Sequence, residues 1–365
     1  MVKRGKLPQI FGLIDLPLLL VVIILYVLGI VTIYSATYRQ GFAFVEKQLI
    51  NGLIAAVSLV VFFCLGVKRL FNWSYFLYGG LIFVLVVLLF LGDATRGSHR
   101  WLYVGNFALQ PSEAGKLILC LTLARFLARE GANTPGRLLK IFALSGASGV
   151  LILLEPDLGT SIVYGVITLS CLWSCGSPKK YFLALFASGL AALPLMWAFL
   201  KDYQKLRILA FLNPNLDPLG AGYNVIQSRI AVGSGSIFGK GFLQGTQSKL
   251  QFLPEPHTDF IFGVFAEEFG FIGSLIALAL FAFLIWRIVL IALKSKDVRV
   301  KIFAGGFSGW LIFHVFESVG MSVGLMPVTG LALPFMSYGG SSLITISSAL
   351  GLLLSACLDF PKRYE

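Results

Sequence analysis

The sequence predicts an all-α polytopic membrane protein of about ten transmembrane helices, and three observations carry that expectation. Hydrophobic residues make up 57% of the chain and charged residues 13%, against roughly 25% charged in an ordinary soluble domain. Mean hydropathy is +0.87. Apolar runs long enough to cross a bilayer as helix alternate with short clusters of Lys and Arg.

The first run, from Leu16 to Tyr34, follows Lys3, Arg4 and Lys6 as a signal sequence would. It is long enough to span the bilayer, so it is read as the first span. Further runs extend from Leu49 to Leu65, Tyr75 to Leu91, Pro111 to Leu127, Leu138 to Leu154, Leu158 to Cys175 and Tyr181 to Leu200. Three more follow a long interruption, from Phe260 to Leu293, Ile302 to Leu325 and Leu343 to Leu358. An even count puts both termini on one side. The tails and alternate loops hold the basic clusters, among them Lys68 and Arg69, Lys179 and Lys180, and Lys294, Lys296, Arg299 and Lys301, so both termini are expected in the cytoplasm. The same placement accounts for the net charge of +12 as membrane topology, which leaves no argument for a nucleic-acid partner, and none is expected. The five cysteines all fall in apolar runs and read as small buried hydrophobes, not as disulfides or metal ligands.

Residues 1–365 read as a single transmembrane domain with one large extracytoplasmic loop at about 201–258. That loop is too rich in Ile, Leu, Phe and Gly to be a disordered linker, and it is expected to be partly helical and folded on the bundle. Its Gly-rich run, Gly233 to Gly241, lacks the spacing of a nucleotide-binding loop. No internal repeat is visible, which disfavours a transporter built from duplicated halves.

Polar motifs converge on the predicted outer face. Pro254 and Pro256 stop any helix before His257. Thr258 then suits an N-cap, with Asp259 in the first turn, where it serves either as a second cap or as a functional carboxylate. Arg100 and Trp101 precede Gln110-Pro-Ser-Glu113, and Glu113 and Lys116 share a helix face, so they either pair structurally or present positive charge to an anionic ligand. In the Glu155 to Ser161 turn, Asp157 caps the next helix or binds a cation or basic side chain. The long loop offers Arg207, Gln227, Ser228 and Gln247, whose groups suit sugars and phosphates. The Pro334 to Ser342 segment, with Ser337 and Ser341, frees backbone groups in apolar surroundings and is expected to be re-entrant or to line a cavity.

Taken in order, Arg100-Trp101, Gln110-Pro-Ser-Glu113 with Lys116, Pro156-Asp-Leu-Gly-Thr-Ser161, His257-Thr-Asp-Phe260, Ala266-Glu-Glu268 and Ser337-Tyr-Gly-Gly-Ser341 resemble the SEDS family (shape, elongation, division and sporulation) along essentially the whole chain. Asp202-Tyr-Gln, Asp217-Pro-Leu-Gly-Ala-Gly222 and Gly245-Thr-Gln-Ser248 resemble its RodA-like elongation branch; Leu109, where many members carry Phe, is a departure. The resemblance implies a peptidoglycan glycosyltransferase of the bacterial cytoplasmic membrane. Such an enzyme polymerises lipid II onto a nascent glycan strand at an outward-facing site, among membrane lipids. It further implies Asp259 as the essential carboxylate, supported by Glu113 and Lys116, and a class B penicillin-binding protein as partner beside other membrane proteins of the elongation complex. No organic cofactor is expected; a divalent cation, Mg or Mn, is compatible with a diphosphate leaving group. The rival reading is a lipid II flippase, which would carry polar groups along a path through the membrane midplane; a pure scaffold would leave the outer-face acids unexplained.

Overall fold

A computed structural model describes residues 15–91, 100–104, 107–199, 205–206, 209, 211, 213, 221–250, 252–253 and 255–359. Each of the ten apolar runs is a helix: α1 (Leu16–Ala36), α2 (Ala43–Leu65), α3 (Val67–Leu91), α4 (Pro111–Glu130), α5 (Pro135–Leu154), α6 (Leu158–Ser174) and α7 (Lys179–Phe199), and, after two helices of the long loop, α10 (Ile261–Lys294), α11 (Val298–Val323) and α12 (Gly340–Ala356). The loop helices are α8 (Ala221–Ser234) and the one-turn α9 (Thr246–Lys249), so the loop is partly helical as expected. Six of the described helices are both long and apolar enough to cross a membrane. The fold is all-α as expected, with one small addition: β1 (Leu102–Val104) and β2 (Phe107–Leu109) pair antiparallel, Leu102 opposite Leu109. In the pair each strand supplies the other's backbone partners.

Helix boundaries follow local chemistry. Asp15 caps α1 by accepting from the Leu18 N–H at 3.1 Å, with proline in the first turn, and Asp297 caps α11 through the Arg299 N–H at 2.9 Å. Position in the bundle follows composition. In α11, 67% of the most apolar window is buried inside the protein, whereas in α2 only 17% is, so α11 is central and α2 largely faces lipid. The most extensive contacts run between α12 and α2 and between α11 and α6, with α4 also against α11. Cys120, Cys171 and Cys357 are buried as expected, but Cys64 on α2 is exposed.

One helix is broken. Gly270 within α10 adopts φ 68°, ψ −165°, so nine residues form a half-helix before the main span resumes. A break frees backbone groups that lipid cannot satisfy. Here the Gly-rich run of the long loop satisfies them: the N–H groups of Lys240 and Gly241 donate to the Glu267 and Glu268 carbonyls at 3.0 Å each, and those of Phe271 and Ile272 donate to the Ser236 and Ile237 carbonyls at 2.9 and 3.1 Å. Glycine is required because the backbones touch. A Cβ on Gly239 would lie 2.1 Å from the Glu268 carbonyl oxygen, and at φ +81° that residue sits in the left-handed region. The run is therefore a strap, not a ligand loop.

Candidate active site

The N-termini of α4, α6, α10 and α12 meet the C-termini of α5 and α11 at one end of the bundle, and Asp259 stands among them. It is half-buried and precedes the N-cap of α10, which is Phe260. The expected cap at Thr258 is therefore corrected: its hydroxyl donates back to the Glu255 carbonyl at 3.3 Å, because the turn after Pro256 runs two residues further. Asp259 lies just before the helix instead of in its first turn. Its carboxylate packs against Gly330, where a Cβ would lie 3.4 Å from Oδ2.

The non-helical segment between α11 and α12 holds this arrangement. It is buried at Leu331, Leu333, Phe335, Met336 and Ser337, as a segment inside the protein must be. The Ser337 hydroxyl donates to the Thr258 carbonyl at 2.8 Å and accepts from the Leu333 N–H at 2.9 Å, and the Tyr338 N–H donates to the His257 carbonyl at 2.9 Å. The His257 ring lies between Phe44 and Tyr338, with centroids at 4.5 and 5.5 Å. Burial holds it below the usual imidazole range, against the opposing charge of Glu255. Ser341 donates to the Ala108 carbonyl and accepts from the Gln110 N–H, both at 3.1 Å, so the hairpin is fastened to the start of α12.

Asp157 serves both alternatives left open by the sequence. It caps α6 by accepting from the Thr160 N–H at 3.0 Å, and it faces Arg100 at 3.6 Å and the Gln110 amide at 3.1 Å. Arg100 also donates to the Glu155 carbonyl at 2.7 Å and to the Pro156 carbonyl, which clamps the turn. Glu155 is buried, and its carboxyl is pushed up to about 8 by burial first and then by Asp157, with Arg100 opposing.

Lys116 has no exposed surface. Its ammonium donates to Glu113 at 2.6 Å and to His314 Nε2 at 3.2 Å, and it lies 5.7 Å from the Trp310 ring. His314 Nδ1 faces the Ala332 carbonyl at 3.0 Å, so that nitrogen carries the proton and Nε2 accepts. The pair is thus internal, and His314 links it to the Ala332 carbonyl. Ser228 donates to the Ser322 carbonyl at 2.8 Å, tying α8 to α11. Gln247 contributes its backbone N–H to Glu267 at 3.2 Å, while Gln227 and Trp101 are half-buried. Arg207 lies outside the described residues.

Two ionisable residues of α11 escaped the sequence reading. Glu317 on α11 is fully buried and accepts from the Thr329 hydroxyl. His314 precedes it by one turn. Both stand inside an apolar run, where an ionisable residue is itself the signal that could have found them. The other two acids of the Ala266-Glu-Glu268 motif are structural. Glu267 accepts from Lys240 at 2.6 Å and from the Thr246 N–H at 2.8 Å, locking α9 and the strap, and Glu268 accepts from Ser35.

Fold and site together define an integral membrane protein of many helices with a carboxylate-bearing polar site where helix ends converge. A profile of the cell cycle proteins FtsW, RodA and SpoVE matches residues 14–359, and the chain belongs to that family, as its SEDS-like motifs implied. It is 39% identical over 348 residues to the peptidoglycan glycosyltransferase MrdB of Escherichia coli K12, covering 94% of this chain and 93% of that one. It is 35% identical over 353 residues to stage V sporulation protein E of Bacillus subtilis 168, covering 93% and 96%. Its fold matches the rod shape determining protein RodA of Thermus thermophilus with a TM-score of 0.73 at 30% identity, covering 96% of this chain and 98% of that one. It also matches a chain from a peptidoglycan synthase complex that coordinates polymerization and crosslinking, with a TM-score of 0.83 at 32% identity, covering 95% and 98%.

Proposed function

We propose that this chain is a peptidoglycan glycosyltransferase that polymerises lipid II during cell elongation and the maintenance of rod shape. It would act in the bacterial cytoplasmic membrane with Asp259 facing outward, beside a class B penicillin-binding protein that crosslinks the product. The observation that carries the reading is the position of Asp259, a half-buried carboxylate at the meeting point of helix ends, backed by a buried Glu113–Lys116–His314 chain.

In the proposed reaction Asp259 accepts the proton of the GlcNAc 4-hydroxyl of incoming lipid II. That oxygen bonds to the anomeric MurNAc carbon of the growing strand, with inversion, while the bond to undecaprenyl diphosphate breaks. The diphosphate leaves as a stable anion, so one carboxylate suffices where glycosidases need two. Four N-terminal helix ends at the site favour that anion, and Arg100, beside Asp157, keeps a quarter of its side chain exposed. Mg or Mn, if bound, would arrive with the diphosphate. Among the described residues no three His, Cys, Asp or Glu side chains converge on a metal, and no step above requires one. The flippase reading has less support, because the site's polar groups gather at one end of the bundle and α12, which lines it, carries no charged side chain.

The test is a gel assay of labelled lipid II with the purified protein, with and without a class B partner blocked for crosslinking. Wild type is expected to give glycan ladders and Asp259→Asn none, a loss of at least about 100-fold for a general base. Movement of lipid II across liposomes without ladders from wild type would reject the transferase.

A further inference from the structure

Glu317 is 0% exposed, and its Oε2 is buried with no hydrogen-bond partner among the described residues. Its Oε1 accepts from Thr329, and the next residue, Gly330, packs against the Asp259 carboxylate. The Thr329–Gly330 dipeptide therefore has an acid on each side.

The charged groups that the elements packed around α11 bring toward the site end are already committed. On α4, Lys116 is held by Glu113 and by His314 of α11 itself. At the start of α6, Asp157 engages Arg100. On α8, Arg229 donates to the Gly324 carbonyl. On α10, Glu267 holds Lys240, Glu268 accepts from Ser35 and Arg287 pairs with Asp15. The span α12 has no charged side chain. No described cation is left for Glu317, and a buried carboxyl beside a second carboxylate is least costly when neutral.

We propose that Glu317 is a positioning residue that keeps its proton throughout the reaction, so that Asp259 is the only negative charge of this pair that a diphosphate-bearing substrate meets. The proposal rests on the transferase reading above. The 4-hydroxyl proton passes to Asp259 as the new C–O bond forms and the bond to diphosphate breaks, and Glu317 neither gains nor loses one. Ionising Glu317 at alkaline pH would put a second anion against the diphosphate, which weakens substrate binding and leaves the chemical step in place.

The experiment has two arms on the full-length protein in detergent. Infrared difference spectra of wild type against E317Q are expected to show a protonated-carboxyl band at neutral pH that E317Q lacks; E155Q is run in parallel because Glu155 titrates at about 8. Lipid II polymerisation is then followed across about pH 6 to 9. The wild-type KM is expected to rise about tenfold per pH unit once Glu317 ionises, with kcat little changed, and E317Q to lack that rise. Thr329→Val removes the hydroxyl donor that favours the ionised form, so the KM rise should move to higher pH. A missing carboxyl band, a wild-type KM rise in E317Q, or an unmoved T329V profile would overturn the proposal. Where E317Q does not fold, the T329V profile and infrared titration decide. A wild type that makes no glycan rejects the transferase instead, and the infrared arm still reports whether Glu317 carries a proton.

Discussion

Glu155 offers a test of the site's electrostatics that does not depend on substrate. Its side chain closes α5 at the turn clamped by Arg100, is 2% exposed, and leaves Oε1 buried without a partner among the described residues. The carboxyl holds its proton up to about 8 in the folded protein, against 4.5 ordinarily. Between those values the folded state binds more protons than the unfolded one. The stability this supplies is complete below about pH 4.5 and is lost as pH rises through about 8. At about 1.36 kcal/mol per pH unit, the gap between 4.5 and about 8 sets an upper bound of about 5 kcal/mol. Relaxation of the turn and water entry reduce it to about 3 kcal/mol in practice.

Glu155→Gln keeps the volume and removes the titration. Thermal unfolding in detergent, followed by loss of the monodisperse peak at a series of pH values, is the assay. The wild-type midpoint is expected to fall between about pH 6 and pH 9, and the E155Q midpoint, which keeps the contribution of Glu317, to fall less and to lie above wild type at the alkaline end. His257 does not confuse the comparison, because burial moves its titration below the usual imidazole value and both proteins carry it. Parallel curves for the two proteins, or an E155Q midpoint below wild type at pH 9, would refute the assignment of a proton to Glu155.

Gly239→Ala should destabilise the protein by more than about 2 kcal/mol, since its Cβ would meet the Glu268 carbonyl in a backbone conformation that alanine disfavours. Accelerated proteolysis within the 235–241 strap checks it, and wild-type resistance would contradict the strap's role. Lys116→Met leaves Glu113 buried without its cation and should cost about 3 to 5 kcal/mol, whereas the double variant with Glu113→Gln should recover part of that loss. A double-mutant cycle on the unfolding midpoint measures the coupling, and additive losses would mean that the pair does not act as a unit.

The helices were legible because each is an apolar run bounded by charge or proline, a one-dimensional property that the bilayer enforces. The break in α10 was not, because Phe269-Gly-Phe-Ile-Gly273 continues an apolar run without interruption, and the break becomes affordable only through backbone partners supplied by the 235–241 strap. The same limit explains the site. Residue type and position singled out Asp259, Asp157 and the Glu113–Lys116 pair, since charge in apolar surroundings needs a reason wherever it occurs. Which acid faces which cation is a property of packing. Glu267 and Glu268 look equivalent in the sequence, yet successive helical positions point them apart, one to Lys240 and the other to Ser35. Glu317 obeys the rule that identified Asp259, and the apolar run around it led to its being read as part of a span. Its meaning comes from Thr329 and Gly330, which reach it only after the chain has left α11 and turned back. A lone acid inside a predicted span is therefore best read together with the polar loop that follows, because a carboxyl group without a partner on its own helix has to find one on a returning segment or keep its proton.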